Sequence, residues 1–105
     1  MLQKVLISVV IYNKPIKSMH ILKKLSNYYI LDMFIYDNSK FPQLVPKIKN
    51  VNIYYEHDSN NSGVSRAYNQ SYKKAKELNK ELLLVLDQDS AFELTFIEEY
   101  MKKYK

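Results

Sequence analysis

The chain has 105 residues, a net charge of +5, no cysteine and a single glycine. This length fits one domain, and the lack of cysteine excludes disulfides, thiolate catalysis and cysteine-ligated metal centres. One glycine is too few for the glycine-rich loops that bind dinucleotides or the phosphates of nucleotides. The positive charge is almost all lysine, which is poorly suited to reading base edges, so no nucleic-acid partner is expected.

No apolar run approaches the ~20 residues that a transmembrane helix needs. Residues 1–10 lack the basic, apolar and small-residue segments of a signal peptide. The sequence therefore predicts a single domain over residues 1–105, without a transmembrane segment, that works in the cytoplasm or at the inner face of the membrane.

Apolar segments alternate with helical or irregular segments along the whole chain. The predicted strands are residues 4–12, 33–36, 51–56 and 81–86. The helical apolar pattern covers residues 16–29, 64–78 and 94–104. Residues 41–49 contain Pro42 and Pro46 and predict an irregular crossover.

This alternation predicts an α/β fold with a mostly parallel sheet flanked by helices. The first strand is the most apolar, so it is expected at the centre of the sheet. The predicted strand order is 3-2-1-4. Ligands of such sheets bind beyond the carboxyl ends of the strands.

Polar residues follow each predicted strand at the point where it ends. They are Tyr12-Asn13, Asp37-Asn38-Ser39, residues 58–62 and residues 87–90. Because parallel strands bring their carboxyl ends to one edge, these residues are expected to meet there.

Asp87 and Asp89 lie two residues apart after the fourth strand. Two carboxylates this close repel each other, and a shared divalent cation relieves the repulsion. Oxygen ligands without histidine or cysteine favour Mg²⁺ or Mn²⁺. The alternative is structural, with Asp87 or Ser90 capping the helix that follows.

Each of the other candidate residues has a structural alternative as well. Asp37 can accept hydrogen bonds from a nucleobase or ribose, or it can form a turn with its neighbours. Asn61 and Gly63 precede a predicted helix, whose first turn either binds an anion or is only capped. Arg66 stands in that first turn, where a cation opposes the helix dipole, which hints at contact with phosphate or base.

Taken together, four segments resemble family 2 glycosyltransferases, the GT-A fold enzymes that use nucleotide-sugar donors. The segments are ISVVIYNKP (7–15), FIYDNSK (34–40), NSGVSRAYNQSYKKA (61–75) and LLLVLDQDS (82–90). They occur in the family's order, and the last has the DQDS form of rhamnosyltransferase-like members.

The resemblance implies a role for each matched residue. Tyr12, Asn13 and Asp37 would line the nucleobase pocket. The residues near the nucleotide would be Asn61, Gly63 and Arg66. The ribose and the metal would be approached by Asp87, and Asp89 would hold the Mn²⁺ or Mg²⁺ that bridges the diphosphate.

The implied activity is inverting transfer of a hexosyl or rhamnosyl group from a UDP- or dTDP-sugar to a glycan or lipid-linked acceptor, in polysaccharide or cell-surface glycan synthesis. Family members continue well past the DXD strand, where the acceptor site and the general base lie. This chain is therefore expected to be the donor-binding half, and none of its residues is assigned as catalytic.

Two other readings stay open. A hydrophobic strand that ends in Asp-x-Asp also resembles the nucleophile strand of haloacid-dehalogenase-type phosphatases, in which Asp87 would attack phosphate and Asp89 would be the acid/base. The third hypothesis is a non-catalytic interaction module.

Independently of these functions, strand 4 is an apolar edge strand in the predicted order. Self-association of the chain through strand 4 or the last helix is therefore expected.

Overall fold

The computed structural model of the chain describes residues 4–19, 26–27, 29–60, 63–87 and 99. The strands are β1 (Val5–Ile11), β2 (Leu31–Asp37), β3 (Val51–His57) and β4 (Leu82–Asp87). Within the described ranges a 3₁₀ turn spans Ile16–Ser18, and an α-helix, α1, spans Val64–Glu77. All four predicted strands are present, each within two residues of its predicted bounds.

The four strands form one parallel sheet in the order β3-β2-β1-β4, a Rossmann-like α/β arrangement. The predicted order and direction are confirmed. Strand β1 is central, and its side chains are buried on both faces of the sheet: the β-branched Val5, Ile7, Val9 and Ile11 on one face and Leu6 and Ser8 on the other.

Side chains alternate between the two faces of the sheet and build two separate clusters. One face carries an aliphatic cluster: Val5, Ile7, Val9, Ile11, Ile16, Met19, Leu31, Met33, Ile35 and Leu86. The other face meets α1: Leu6, Phe34, Tyr36, Ala67 and Ala75. We call these the aliphatic face and the helix face.

Helix α1 packs on the sheet through its small residues. Ala67, Ser71 and Ala75 are buried, whereas Tyr68 and Tyr72 are exposed. Both tyrosines fall within the apolar helical pattern predicted over residues 64–78, but the small residues, and not the rings, face the sheet. Buried Ser71 donates to the carbonyl of Ala67 (2.7 Å), and its hydroxyl lies 2.6 Å from that of Ser8 on β1.

The start of the connection after β1, up to Met19, differs from the predicted helix. The 3₁₀ turn ends at Met19, whose backbone is extended (φ −76°, ψ 107°), so no α-helix runs on from Ile16. Ile16 and Met19 are nevertheless buried, as the apolar spacing predicts. The predicted helix over 94–104 and most of the segment 20–28 lie outside the described residues.

Residues 41–49 form the irregular crossover that the two prolines predict. It ends in a tight turn in which Val51 N–H donates to the carbonyl of Ile48 (3.1 Å). Asn50 in this turn has a positive φ of 68°, as Asn79 does after α1 (φ 56°). Asparagine tolerates this left-handed conformation better than most residues. Since the chain has only one glycine, asparagine takes these positions.

The amino edge of the sheet is held by an ion pair between Lys80 and Asp32. The two side chains are 6% and 19% exposed, and Asn52 also donates to Asp32 (2.9 Å). This pair ties the segment before β4 to β2, with β1 between them. No helix among the described residues is long and apolar enough to cross a membrane.

Candidate functional site

The carboxyl ends of the four strands lie level with one another. Asp37 at the end of β2 pairs in register with Ile11 of β1 and with His57 of β3. On the other side of β1, Asp87 of β4 pairs with Val10. Since neighbouring strands are about 4.8 Å apart, the backbones of Asp37 and Asp87 are roughly 10 Å apart across the end of β1.

The Asp37 side chain is fully buried and lies on the aliphatic face, at the centre of a hydrogen-bonded cluster. Its Oδ2 accepts from the Tyr55 hydroxyl (2.7 Å) and from Gln43 Nε2 (3.2 Å). Its Oδ1 accepts from Ser39 N–H (3.0 Å). We call Asp37, Ser39, Gln43 and Tyr55 the Asp37 cluster.

Gln43 joins the exits of three strands. Its Nε2 also donates to the Lys14 carbonyl (3.0 Å), and its Oε1 accepts from Ile16 N–H (2.9 Å), both in the segment after β1. Its own N–H donates to the Tyr55 hydroxyl of β3 (3.1 Å). The crossover is therefore pinned to the end of the sheet by one side chain.

The hydrogen bonds of the Asp37 cluster change the acidity of two of its members. Burial acts to raise the pKa of Asp37, but hydrogen bonds from Ser39, Tyr55 and Gln43 outweigh it and hold the pKa below the usual 3.8. Burial, together with the hydrogen bond to Asp37, raises the pKa of Tyr55 to about 12. The site is thus built around a carboxylate that stays ionised at neutral pH.

Two exposed or strained residues follow β1. Tyr12 is exposed, and Asn13 has a positive φ of 51° while its N–H donates to the Ser39 hydroxyl (2.6 Å).

Next to them, Asn38 continues the hydrogen-bond ladder of β1 and β2, because its N–H donates to the Ile11 carbonyl (2.9 Å). Its side-chain Oδ1 is buried and has no hydrogen-bond partner among the residues that the structure describes. A buried acceptor of this kind calls for a donor from a water molecule or a ligand.

On the helix face, Asp58 organises the start of α1. Its Oδ2 accepts from the Tyr36 hydroxyl (2.6 Å) and lies 3.8 Å from Arg66 Nε. Burial, followed by the hydrogen bond to Asp58, raises the pKa of Tyr36 to about 12. Arg66 is thus paired with Asp58, although its side chain is still 57% exposed.

Gly63 immediately precedes α1 and has a positive φ of 94°, which only glycine adopts easily. Among the described residues no side chain caps this end of α1, and its first turn holds no acidic residue. The backbone N–H groups here have a positive potential that favours an anion.

The predicted residues fall into two groups on opposite faces of the same edge. Asp37 lies on the aliphatic face, whereas Gly63 and Arg66 belong to α1 on the helix face. Tyr12 and Asn13 follow central β1 between them. A ligand that touches both groups must extend across the ends of β1 and β2.

The predicted metal ligands cannot be described in the same way. The backbone of Asp87 ends β4, but its side chain, Asn61 and Asp89 lie outside the described residues. Within the described residues, no group of three or more acidic or imidazole side chains is arranged to hold a metal. The metal site therefore stays a prediction.

Comparison with known proteins gives no match: the chain matches no protein-family model, no curated protein and no solved structure. The family expected from the sequence motifs therefore stays a prediction as well.

Sequence reasoning missed the partners that hold the predicted residues in place. Gln43 and Tyr55 were not singled out, and Asp58 was expected only as one of the polar residues 58–62. His57, one residue beyond the predicted strand 51–56, ends β3 and donates from its ring to the Ser39 carbonyl (2.7 Å). One signal was available: polar residues in a crossover between two apolar strands must find partners at the sheet edge.

Proposed function

We propose that the chain is the donor-binding part of an inverting family 2 glycosyltransferase, which binds a nucleotide sugar at the carboxyl edge of its sheet. The supporting observation is the register of the four strands, which brings the ends of the β1, β2 and β4 motifs level at one edge. The sequence motifs at three of these ends and at the start of α1 are the ones that resemble the family. A cytoplasmic location belongs to this proposal.

The nucleobase pocket would lie at the ends of β1 and β2. Tyr12 supplies an exposed ring there, and Asn38 supplies the unpartnered acceptor. Three hydrogen bonds already engage Asp37, so its role in the proposal is to fix the wall of the pocket and not to offer a free carboxylate. Uridine and thymidine are the bases that the resemblance favours.

The diphosphate would lie between the start of α1 and the end of β4. The N–H groups of the first turn after Gly63 and the guanidinium of Arg66 both favour negative charge. Asp87 and Asp89 would hold Mn²⁺ or Mg²⁺, and their donor set suits such an ion. The metal, when bound, stabilises the charge that develops on the departing nucleoside diphosphate.

Isothermal titration calorimetry tests the proposal. We expect UDP or dTDP to bind in the presence of Mn²⁺ and binding to weaken at least tenfold in excess chelator, a loss of about 1.4 kcal/mol. Asp89→Asn should have the same effect as the chelator. Glu77→Gln is the matched control, because it removes one exposed carboxylate at the far end of α1.

Equal affinity with and without the metal would contradict the metal role, and no binding of either nucleotide would contradict the donor site. Steady hydrolysis of a phosphate monoester that is lost in Asp87→Asn would favour the phosphatase alternative instead.

A further inference from the structure

The outer edge of β3 carries backbone groups that no described strand pairs. On its inner side β3 pairs with β2, where the Asn50 carbonyl accepts from Leu31 N–H and Asp58 N–H donates to the Asp37 carbonyl. Residues of a strand point their N–H and C=O groups alternately to the two sides. The even-numbered residues of β3 therefore face β2, and Ile53 and Tyr55 direct both backbone groups outward.

Strand β3 itself lacks the features that usually prevent strand addition, and the nearest proline and lysine, Pro46 and Lys47, lie in the crossover beside its first residues. Natural edges are protected by lysine, proline, a bulge or a very short strand. Strand β3 has seven residues, VNIYYEH, without lysine or proline, and its register with β2 runs without a bulge. Glu56 is its one carboxylate, and the ring of His57 is turned to the Ser39 carbonyl.

The end of the crossover lies beside the start of this edge. Val45–Lys47 and Val51–Tyr54 line a groove of about 390 Å³ there, and Val45 is 41% exposed. The middle of the strand offers the outward backbone groups of Ile53 and Tyr55 to an incoming strand.

We propose that a second copy of this chain occupies the β3 edge, its β3 antiparallel to the first, so that two four-stranded sheets join into one. The occupant is a second copy because the edge is complementary to itself. With the two-fold axis at Tyr54, Ile53 faces the partner's Tyr55, and both residues have their N–H and C=O groups directed outward. Such a pair exchanges two backbone hydrogen bonds, and symmetry repeats it.

The side chains agree with this register. Ile53 and Tyr55 lie on the aliphatic face and would make an apolar cross-strand pair. Glu56 faces the partner's Asn52, so no like charges oppose each other across the axis. A register centred on Glu56 would set two carboxylates face to face, which is unfavourable.

A disulfide trap tests the pairing, and the natural absence of cysteine makes it specific. At the axis, the Tyr54 Cα atoms form a non-hydrogen-bonded pair about 4.5 Å apart, within the roughly 4.4–6.8 Å that a disulfide spans. We expect Tyr54→Cys to form a covalent dimer under mild oxidation, at least tenfold faster than Tyr72→Cys. Tyr72 is 57% exposed on α1 and serves as the control for random collision.

Tyr54 packs against the helix-face cluster, so its variant could fail to fold. Mixing Asn52→Cys with Glu56→Cys chains avoids this, since Asn52 is exposed. This mixture should yield the mixed disulfide in preference to either homodimer. Circular dichroism on each variant checks that it is folded.

Sedimentation equilibrium on the unmodified chain measures the association itself, with a dimer expected at tens of micromolar. Asn52→Glu sets four carboxylates in two facing pairs across the axis and should raise the dissociation constant about tenfold. Because Asn52 also faces Asp32 of its own chain, circular dichroism checks that this variant is folded. Adding Glu56→Lys should restore it, whereas Glu77→Lys, with the same change of charge on α1, should not.

A monomer at every concentration overturns the proposal, even if a different protein or peptide is found to bind the edge. So does equal oxidation of Tyr54→Cys and Tyr72→Cys, or a dimer that Asn52→Glu leaves unchanged. These measurements use no nucleotide or metal, so their outcome is independent of the proposed function.

Discussion

Tyr55→Phe removes a hydroxyl that links two parts of the Asp37 cluster. The hydroxyl accepts from Gln43 N–H (3.1 Å) and donates to the buried carboxylate of Asp37 (2.7 Å). A hydrogen bond to a charged group contributes ~1.5–3 kcal/mol, and the variant also leaves a backbone N–H without its acceptor. We expect the free energy of unfolding to fall by about 2 kcal/mol, which lowers the midpoint of thermal unfolding by roughly 10 °C.

The effect of Tyr55→Phe should depend on pH. The pKa of Asp37 in the folded chain lies below 3.8, whereas an unfolded aspartate titrates near ~3.9. The carboxylate therefore contributes stability above pH 4, and this contribution is lost as the pH falls through the folded pKa. The difference between the unmodified chain and Tyr55→Phe should be full at pH 7 and shrink below pH 4.

Urea denaturation followed by circular dichroism at pH 7, 5 and 3 measures this difference. Tyr54→Phe is the matched control, because the neighbouring ring packs against Lys74 and not against a carboxylate. Its effect should stay within about 0.5 kcal/mol. If Tyr55→Phe costs no more than Tyr54→Phe, or if its cost is the same at pH 7 and pH 3, the Asp37 cluster does not work as described.

Three further predictions concern the packing around the site. Ser71→Ala leaves the buried Ser8 hydroxyl without its partner, so the free energy of unfolding in urea should fall by about 1–2 kcal/mol. The double variant with Ser8→Ala should lose less stability than the two single variants together. Lys80→Met leaves the partly buried Asp32 without its cation, so the free energy of unfolding should fall by about 2–4 kcal/mol in thermal unfolding. Adding Asp32→Leu in the same chain should largely restore the stability. Tyr36 has a pKa of about 12 when folded, so its contribution to stability is complete below pH 10 and is lost as the pH rises toward 12; Tyr36→Phe should flatten that loss in alkaline denaturation, and an unchanged profile would contradict it.

Much of the sheet could be predicted from the sequence because its signals are local. β-branched runs mark buried strands, and the polar residue that follows each run marks its exit. The order also follows from burial: a strand as apolar as β1 must be covered on both faces and both edges, which leaves only the centre.

The contacts of the site could not be predicted in the same way, since they join distant parts of the chain. Gln43 meets Asp37 only after the crossover has folded back over β3, and nothing in its neighbours marks that return. The buried side of α1 also could not be identified from the apolar pattern of residues 64–78. A tyrosine counts as apolar in a periodic pattern, yet here the close approach of the helix admits only alanine and serine.

The central place of β1 also has a consequence for how the chain folds as it leaves the ribosome. Strand β1 is synthesised before its neighbour β4, which begins roughly 70 residues later (Ile11 to Leu82). At ~5–20 residues per second this delay is on the order of 10 s. During that time β1, β2 and β3 can already pair, while the other edge of β1 has no strand to cover it. The nascent chain thus has a long interval in which an apolar strand edge is open to other chains, and chaperones that bind extended apolar segments should be needed most before Leu82–Asp87 emerges.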